Sequence, residues 1–226
     1  MIDGAVAQLG ERIPCTDEVA GSIPVGSTTK EKNMKKNIED YLINFPNFLD
    51  KDFCEKAIID LKNNPKLWSK HYFYNPKSGE KYKPSGDNEP DVIFSMDYKN
   101  PINDIIIEKL HPVLQEYINT FNFSWFSGWE GYTTIKFNRY TSNHRMAMHC
   151  DHIHDMFDGE RKGIPTLSIL GLLNDDFEGG QLIFFEDKKI NIKQGDLLIF
   201  PSNILYPHIV EPVTKGTRYT YVSWAW

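Results

Sequence analysis

After Asn122 the spacing of apolar residues in this chain changes from about 3.6 to 2. Alternating runs then follow at 131–139, 146–152, 165–173, 180–185, 188–193, 196–200, 206–212 and 217–225. Turn residues separate them, among them Glu178-Gly179-Gly180 and Gln194-Gly195-Asp196. A strand with one apolar face must pack that face on a second layer. Eight such strands, all short, suit a double-sheet jelly roll.

The first half reads differently. Tyr41–Phe45 has the pattern of a short strand. Asp50 is placed to cap a helix over Lys51–Asn63, with Phe53, Ala57, Ile58 and Leu61 on one face, and Pro65 stops it. Residues 69–100 are rich in Tyr, Lys, Pro, Gly and Asp and read as loops with short strands, a region free to carry substrate contacts. Pro101 opens a second helix running to about Phe121, with Ile105, Ile106, Leu110, Val113, Leu114 and Ile118 at helical spacing. The expectation is a mostly β, α+β chain. Helical support comes from 34–121, the jelly-roll core from 122–226, and together they form one domain.

Residues 1–33 stand apart. They have acidic residues (Asp3, Glu11, Asp17, Glu18) and no long apolar stretch, so they make a poor signal peptide. Val6–Arg12 and Gly21–Thr28 look like a transfer-RNA gene translated as if it were coding sequence. The reading is a non-native or disordered leader, with the natural start at Met34.

Chemistry concentrates between His149 and Arg218. In His149-Cys150-Asp151 the histidine and aspartate leave one face of a strand together. With the distant His208 they make two imidazoles and a carboxylate, the facial set used by non-haem Fe(II) oxygenases. Such a metal needs an electron-supplying co-substrate. Arg218, ten residues after His208 in an alternating segment, has the planar fork that binds a carboxylate in two places.

These residues stand in a longer ordered text. Tyr140 lies nine residues before His149, and Glu178-Gly179-Gly180-Gln181-Leu182 and Gln194–Ser202 follow. Then come His208, Pro212–Arg218 and Trp224. From about Gly131 to Trp226 the chain resembles the 2-oxoglutarate- and Fe(II)-dependent dioxygenases of the prolyl 4-hydroxylase type. The resemblance implies Fe(II) on His149, Asp151 and His208, and 2-oxoglutarate with its far carboxylate on Arg218. It also implies O2 as co-substrate, ascorbate as reductant, and hydroxylation of a C–H bond with release of succinate and CO2.

Tyr140 matches a tyrosine whose hydroxyl helps hold 2-oxoglutarate, or is simply an aromatic of the sheet. Trp224 is a pocket wall or strand core. Some relatives carry a second tyrosine in the strand equivalent to Thr166–Leu173; here there is none, and Ser168 or Thr166 would have to supply the hydroxyl. His144, His152 and His154 crowd the region without the right spacing, Cys150 is expected to point into the core, and His71 and His111 have no partner pattern. The charged 152–164 segment is placed to act as a lid, with Trp125, Phe126 and Trp129 as groove residues or an aromatic core patch.

By analogy the substrate is a prolyl residue of a peptide or protein. A free amino acid or other small metabolite comes second. Nucleobase oxidation is disfavoured by a net charge of −6. A jelly-roll binding module without turnover stays open, although such modules tend to lose a ligand, and a zinc hydrolase would not require Arg218. No apolar run approaches the roughly 18 residues needed to span a bilayer. Cys15, Cys54 and Cys150 lack regular spacing, which suits a reducing compartment, the cytoplasm. A short chain without a signal suggests a microbial or viral source.

Overall fold

The computed structural model describes residues 36–75, 78–94, 100–121, 128–151 and 165–226. Lys36–Trp226 forms one compact unit. A 3₁₀ turn at Ile38–Tyr41 leads into β1 (Ile43–Phe45), so Tyr41 and Leu42 are not part of the strand expected there. Next come α1 (Lys51–Asn63), β2 (Ser69–Lys70), β3 (Phe73–Tyr74), β4 (Lys81–Tyr82), β5 (Asp91–Phe94) and α2 (Pro101–Phe121). Then follow β6 (Lys136–Tyr140), β7 (Met146–His149), β8 (Leu167–Leu172), β9 (Glu178–Gly179), β10 (Leu182–Phe184) and β11 (Lys188–Ile190). The chain closes with β12 (Leu197–Pro201), β13 (His208–Val210), β14 (Val213–Lys215) and β15 (Arg218–Ala225). Each of the eight alternating runs contains a strand.

Both helices begin and end where the sequence places them. The Asp50 carboxylate accepts from the Phe53 amide at 2.7 Å, and Cys54, Ala57 and Leu61 form the buried stripe of α1. In α2 the stripe is Ile106, Leu110, Leu114, Tyr117 and Phe121. Pro112 sits inside α2 and denies the Glu108 carbonyl its helical partner, a break the apolar pattern does not reveal. Pro112 and Glu108 are both exposed, so the freed carbonyl lies on the solvent side while the apolar stripe holds the helix straight through. Among the described residues, no helix is long and apolar enough to cross a membrane.

Two antiparallel sheets carry the molecule. The larger runs β1-β12-β8-β15-β6-β5-β2 and the smaller β11-β10-β13-β7. The jelly-roll core is not confined to 122–226: the first half of the chain adds β1 to one edge of the large sheet and β5 and β2 to the other. Buried Asp196 holds that junction, accepting from the Asn44 side chain at 3.0 Å and the Asn47 and Lys193 amides at 3.1 Å.

Alternation in β15 sorts the two cores. Tyr219, Tyr221 and Ala225 face the layer containing α1 and α2, together with Phe137, Ile169 and Ile199. Tyr140, Leu170, Leu198 and Phe200 face the small sheet and meet Leu182, Phe184 and Val210.

In the helix-side core Tyr221 stands opposite Gly171, whose missing Cβ leaves the space its ring occupies. The Tyr221 hydroxyl is buried without a hydrogen-bond partner among the described residues. Gly171→Ala is expected to overpack this site and cost about 1–3 kcal/mol or more, read by chemical denaturation. Tyr221→Phe removes an unsatisfied group and is expected to be neutral or stabilising by about 1 kcal/mol. A clear loss in that variant would show that the hydroxyl has a partner.

Candidate metal centre and co-substrate pocket

β7 and β13 are neighbours in the small sheet, with His149 directly opposite His208 and their ring centroids 4.3 Å apart. Asp151 follows β7. Its Oδ1 lies 3.4 Å from His149 Nε2 and 3.7 Å from His208 Nε2. One ligand atom from each of the three residues lies within 4.8 Å of the others. This geometry could hold a metal ion from one side.

The rings are aimed by the backbone. His149 Nδ1 is 2.8 Å from the Ala147 carbonyl, and His208 Nδ1 is 3.1 Å from the Tyr206 carbonyl. A carbonyl can only accept, so each Nδ1 carries a proton, and Nε2 is the ring nitrogen turned toward Asp151. Phe184 stacks on His208 at 4.9 Å, Phe200 meets it edge-on at 5.3 Å, and Phe73 meets His149 edge-on at 5.5 Å.

Protonation suits the same purpose. Burial, reinforced by His149, lowers His208 to about 4, so its ring is neutral at physiological pH. Burial works to raise the Asp151 carboxyl, but the two histidines and the Ser168 hydroxyl outweigh it and hold the group far below the usual carboxylate range. An ionised carboxylate beside a neutral His208 can bind a cation without first losing protons.

Arg218 begins β15, paired with Tyr140 across β6, so both side chains leave the inner face. Arg218 is 1% exposed. Neither Nη1 nor Nη2 has a hydrogen-bond partner of ordinary geometry among the described residues. The guanidinium carbon sits 5.1 Å from the centroid of the Tyr140 ring, whose hydroxyl favours the charged guanidinium. Burial pushes the Tyr140 phenol up to about 12, against the pull of Arg218, so it remains a donor. A buried cation with no anion of its own is costly, by several kcal/mol in ordinary proteins. An incoming carboxylate would remove that cost, and the two free Nη groups match its two oxygens.

The remaining candidates separate cleanly. Trp224 is half-buried on the inner face, opposite Ser168, with its Nε1 enclosed and unpartnered among the described residues. Neither hydroxyl expected to replace the second tyrosine faces Arg218. Thr166 donates to the Ala225 carbonyl at 3.2 Å, while Ser168 lies 2.6 Å from Ser202 and supports Asp151. Cys150 is partly exposed rather than in the core, with its Sγ 3.6 Å from the Ile204 carbonyl. His144 lies 2.9 Å from Lys70 and 3.3 Å from Thr141, outside the ligand set. Trp129 packs on the helix side with His111 at 5.3 Å, the core-patch alternative. His152, His154, Trp125, Phe126 and the expected lid at 152–164 lie outside the described residues.

Sequence reasoning missed three features. His71 does have a partner, buried Glu89, whose Oε2 is 3.4 Å from Nδ1. Lys136 is buried on the inner face. Gly180 does more than make a turn: a Cβ there would meet Val213 Cγ2 at 2.9 Å and Arg218 Cδ at 3.1 Å.

Comparison with known proteins bears on this arrangement. The sequence profile of the 2OG-Fe(II) oxygenase superfamily matches residues 135–226, the stretch that contains all three candidate ligands and Arg218. Residues 135–226, fewer than half of the chain, are thus similar to that superfamily. The chain is 35% identical over 94 residues to a PKHD-type hydroxylase from Idiomarina loihiensis, a match covering 40% of each protein. Among solved structures it resembles a Pseudomonas putida prolyl-4-hydroxylase, with a TM-score of 0.59 and 18% identity, covering 82% of this chain and 91% of that one. It also resembles a Trichoplax adhaerens prolyl hydroxylase in complex with a hypoxia inducible factor oxygen degradation domain peptide fragment, with a TM-score of 0.59, 19% identity, and coverage of 82% and 83%. These structural likenesses concern the jelly-roll fold. The superfamily implies Fe(II) and 2-oxoglutarate, and the Arg218 fork with its open Nη groups and the two-imidazole, one-carboxylate set fit that pair.

Gly180→Ala tests the packing behind Arg218. A left-handed backbone, φ +63°, and the two close contacts predict a stability loss of about 1–2 kcal/mol. Displacement of Arg218 should weaken 2-oxoglutarate binding several-fold, measured by calorimetry without oxygen. An unchanged affinity would show that this contact does not position Arg218.

Proposed function

We propose that the chain is an Fe(II)- and 2-oxoglutarate-dependent hydroxylase acting on a prolyl residue of a peptide or protein. The observation that carries the reading is the buried Arg218 guanidinium, unpartnered among the described residues, on the inner face of the fold that also encloses the two-histidine, one-carboxylate cluster. Either half alone is compatible with a purely structural role. A metal cluster combined with a cation waiting for a carboxylate calls for a chelating dicarboxylate co-substrate.

The overall reaction joins substrate C–H, O2 and 2-oxoglutarate to give substrate C–OH, succinate and CO2. Two electrons come from the decarboxylated co-substrate and two from the C–H bond, and together they reduce O2. Bound Fe(II) supplies the oxygen-activating chemistry, and ascorbate serves as external reductant. The protein's part is to hold and to exclude. His149, Asp151 and His208 are the proposed ligands, with the Ala147 and Tyr206 carbonyls fixing the rings. Arg218 takes the far carboxylate of 2-oxoglutarate, and Tyr140 donates its phenolic proton to the same molecule. Leu170, Leu198 and Phe200 make the inner wall apolar, which keeps water from the reacting atoms. Trp224 closes one side.

Peptide substrates are favoured because the fold is shared with prolyl hydroxylases, one of them bound to a peptide. The direct test is succinate formation by protein supplied with Fe(II), ascorbate, 2-oxoglutarate and oxygen, with and without proline-rich peptides. Stimulation by the peptides is expected. Iron-dependent succinate without stimulation would move the substrate to a free amino acid or small metabolite. Bound iron with no succinate would leave a binding module.

His149→Ala or Asp151→Ala is expected to abolish turnover through loss of iron, with the metal-free protein still folded by circular dichroism. Full activity in either purified, iron-controlled variant would refute the ligand assignment. Arg218→Ala should raise the KM for 2-oxoglutarate by about tenfold or more, on the order expected for one charge-assisted pair. Arg218→Lys, which keeps the charge but loses the fork, should fall between. A normal KM in both would remove Arg218 from the pocket.

A further inference from the structure

Lys136 is the one buried cation among the described residues that the proposed reaction leaves without work. It is 9% exposed and opens β6, where it pairs with Val222 of β15 on one side and Phe94 of β5 on the other. It shares the inner face with Asn138 and Tyr140, since side chains two apart on a strand point the same way. Among the described residues the Lys136 ammonium has no hydrogen bond or ion pair. Its Nζ lies 5.1 Å from the centroid of the Trp224 ring.

The site around it is built. Trp224 and Val222 are half-buried and Phe94 is 40% exposed, so this end of the inner face is less enclosed than the Arg218 end. Asp151 is near enough to favour the charged ammonium, and Lys136 in turn is near enough to disfavour protonation of His71. Burial lowers the ammonium to about 8, so most of it stays charged at neutral pH. Asp151 cannot also serve as its counter-ion once that carboxylate is committed to a metal.

We propose that Lys136 seats a carboxylate of the molecule being hydroxylated. The inference rests on the oxygenase reading above and narrows its substrate class. 2-Oxoglutarate is not the intended occupant. Lys136 lies four positions from Tyr140 on β6, and Tyr140 is opposite Arg218, so the two cations stand roughly 13 Å apart along the sheet at about 3.3–3.4 Å per residue. A co-substrate anchored on Arg218 would meet the metal with its other end. The end of the face away from Arg218 is then left to Lys136, beside Asp151 and next to Trp224 and Phe94. A carboxylate there fixes one end of a substrate whose apolar part lies against the aromatic walls and presents a C–H bond to the centre. The carboxylate belongs either to a free amino acid or to a peptide, as its C-terminus or an acidic side chain.

The test uses the iron-loaded protein with 2-oxoglutarate. Succinate formation is measured with free amino acids and with a peptide digest, each in native form and with its carboxyl groups methyl-esterified. The native forms should stimulate on the order of tenfold more than the esters, as expected for losing one charge from a desolvated pair. Which native set stimulates decides between the two sources. For the stimulating compound, Lys136→Met should bring the acid-to-ester ratio of kcat/KM close to one, and Lys136→Arg should preserve most of it. Calorimetry without oxygen should show the same loss in binding, independent of turnover. Esters as effective as acids, a preference that survives in Lys136→Met, or an effect confined to the KM for 2-oxoglutarate would each overturn the proposal. So would succinate that neither set stimulates. A protein that forms no succinate under any condition would fail the oxygenase reading instead. If Lys136→Met does not fold, the acid–ester comparison on the unaltered protein still decides.

Discussion

Strand β15 works because its period is two and its register is locked on both sides. Tyr219, Tyr221 and Ala225 pack against the helices, while Arg218, Thr220, Val222 and Trp224 are delivered to the inner face. A one-residue slip would put a guanidinium among the helix-facing aromatics and a tyrosine in the pocket, so the two packing problems select the same register. Gly171 beneath Tyr221 and the pairing of Arg218 with Tyr140 fix it from opposite faces. Through this one strand the helical layer controls where the pocket's cation points.

Electrostatics then give the inner face its character. The small sheet contributes an ionised carboxylate between two imidazoles, and the large sheet contributes two buried cations, Arg218 and Lys136. Among the described residues neither Nη group of Arg218 has a hydrogen-bond partner of ordinary geometry, and the Lys136 ammonium lies over the Trp224 ring. Folding leaves these groups desolvated because apolar neighbours such as Leu170, Leu198, Phe184 and Phe200 enclose the same space. The arrangement is stable in itself only at a cost, and ligands of opposite charge are what would offset it. A metal for the carboxylate and carboxylates for the cations are the complementary set.

Much of this is legible along the chain. Asp50 and Pro101 mark the helix starts because capping and proline effects are local. The eight alternating runs each hold a strand because burial of one face imposes the period. The strands β1, β2 and β5 are short, and nothing local says that β1 pairs with the distant β12 or that β5 lies between β2 and β6. Pro112 inside α2 runs against a local rule and is overridden by the apolar stripe on the opposite side. Ser168 looks available to the co-substrate from its place in the sequence, yet its neighbours are Asp151 and Ser202, and only the pairing of β8 with β12 and β15 reveals that.

By itself the sequence determined the candidate ligand types, their order and their spacing: His149 and Asp151 two apart, His208 far downstream, Arg218 ten residues beyond. Those are properties of spacing along one chain, where strand geometry is enough. Tertiary structure alone decided that Gly180 packs behind Arg218, that His71 meets Glu89, and that Lys136 shares a face with the pocket. Each of these depends on which strands lie side by side, and pairing between distant segments is set by the burial of whole faces rather than by any residue's neighbours in sequence.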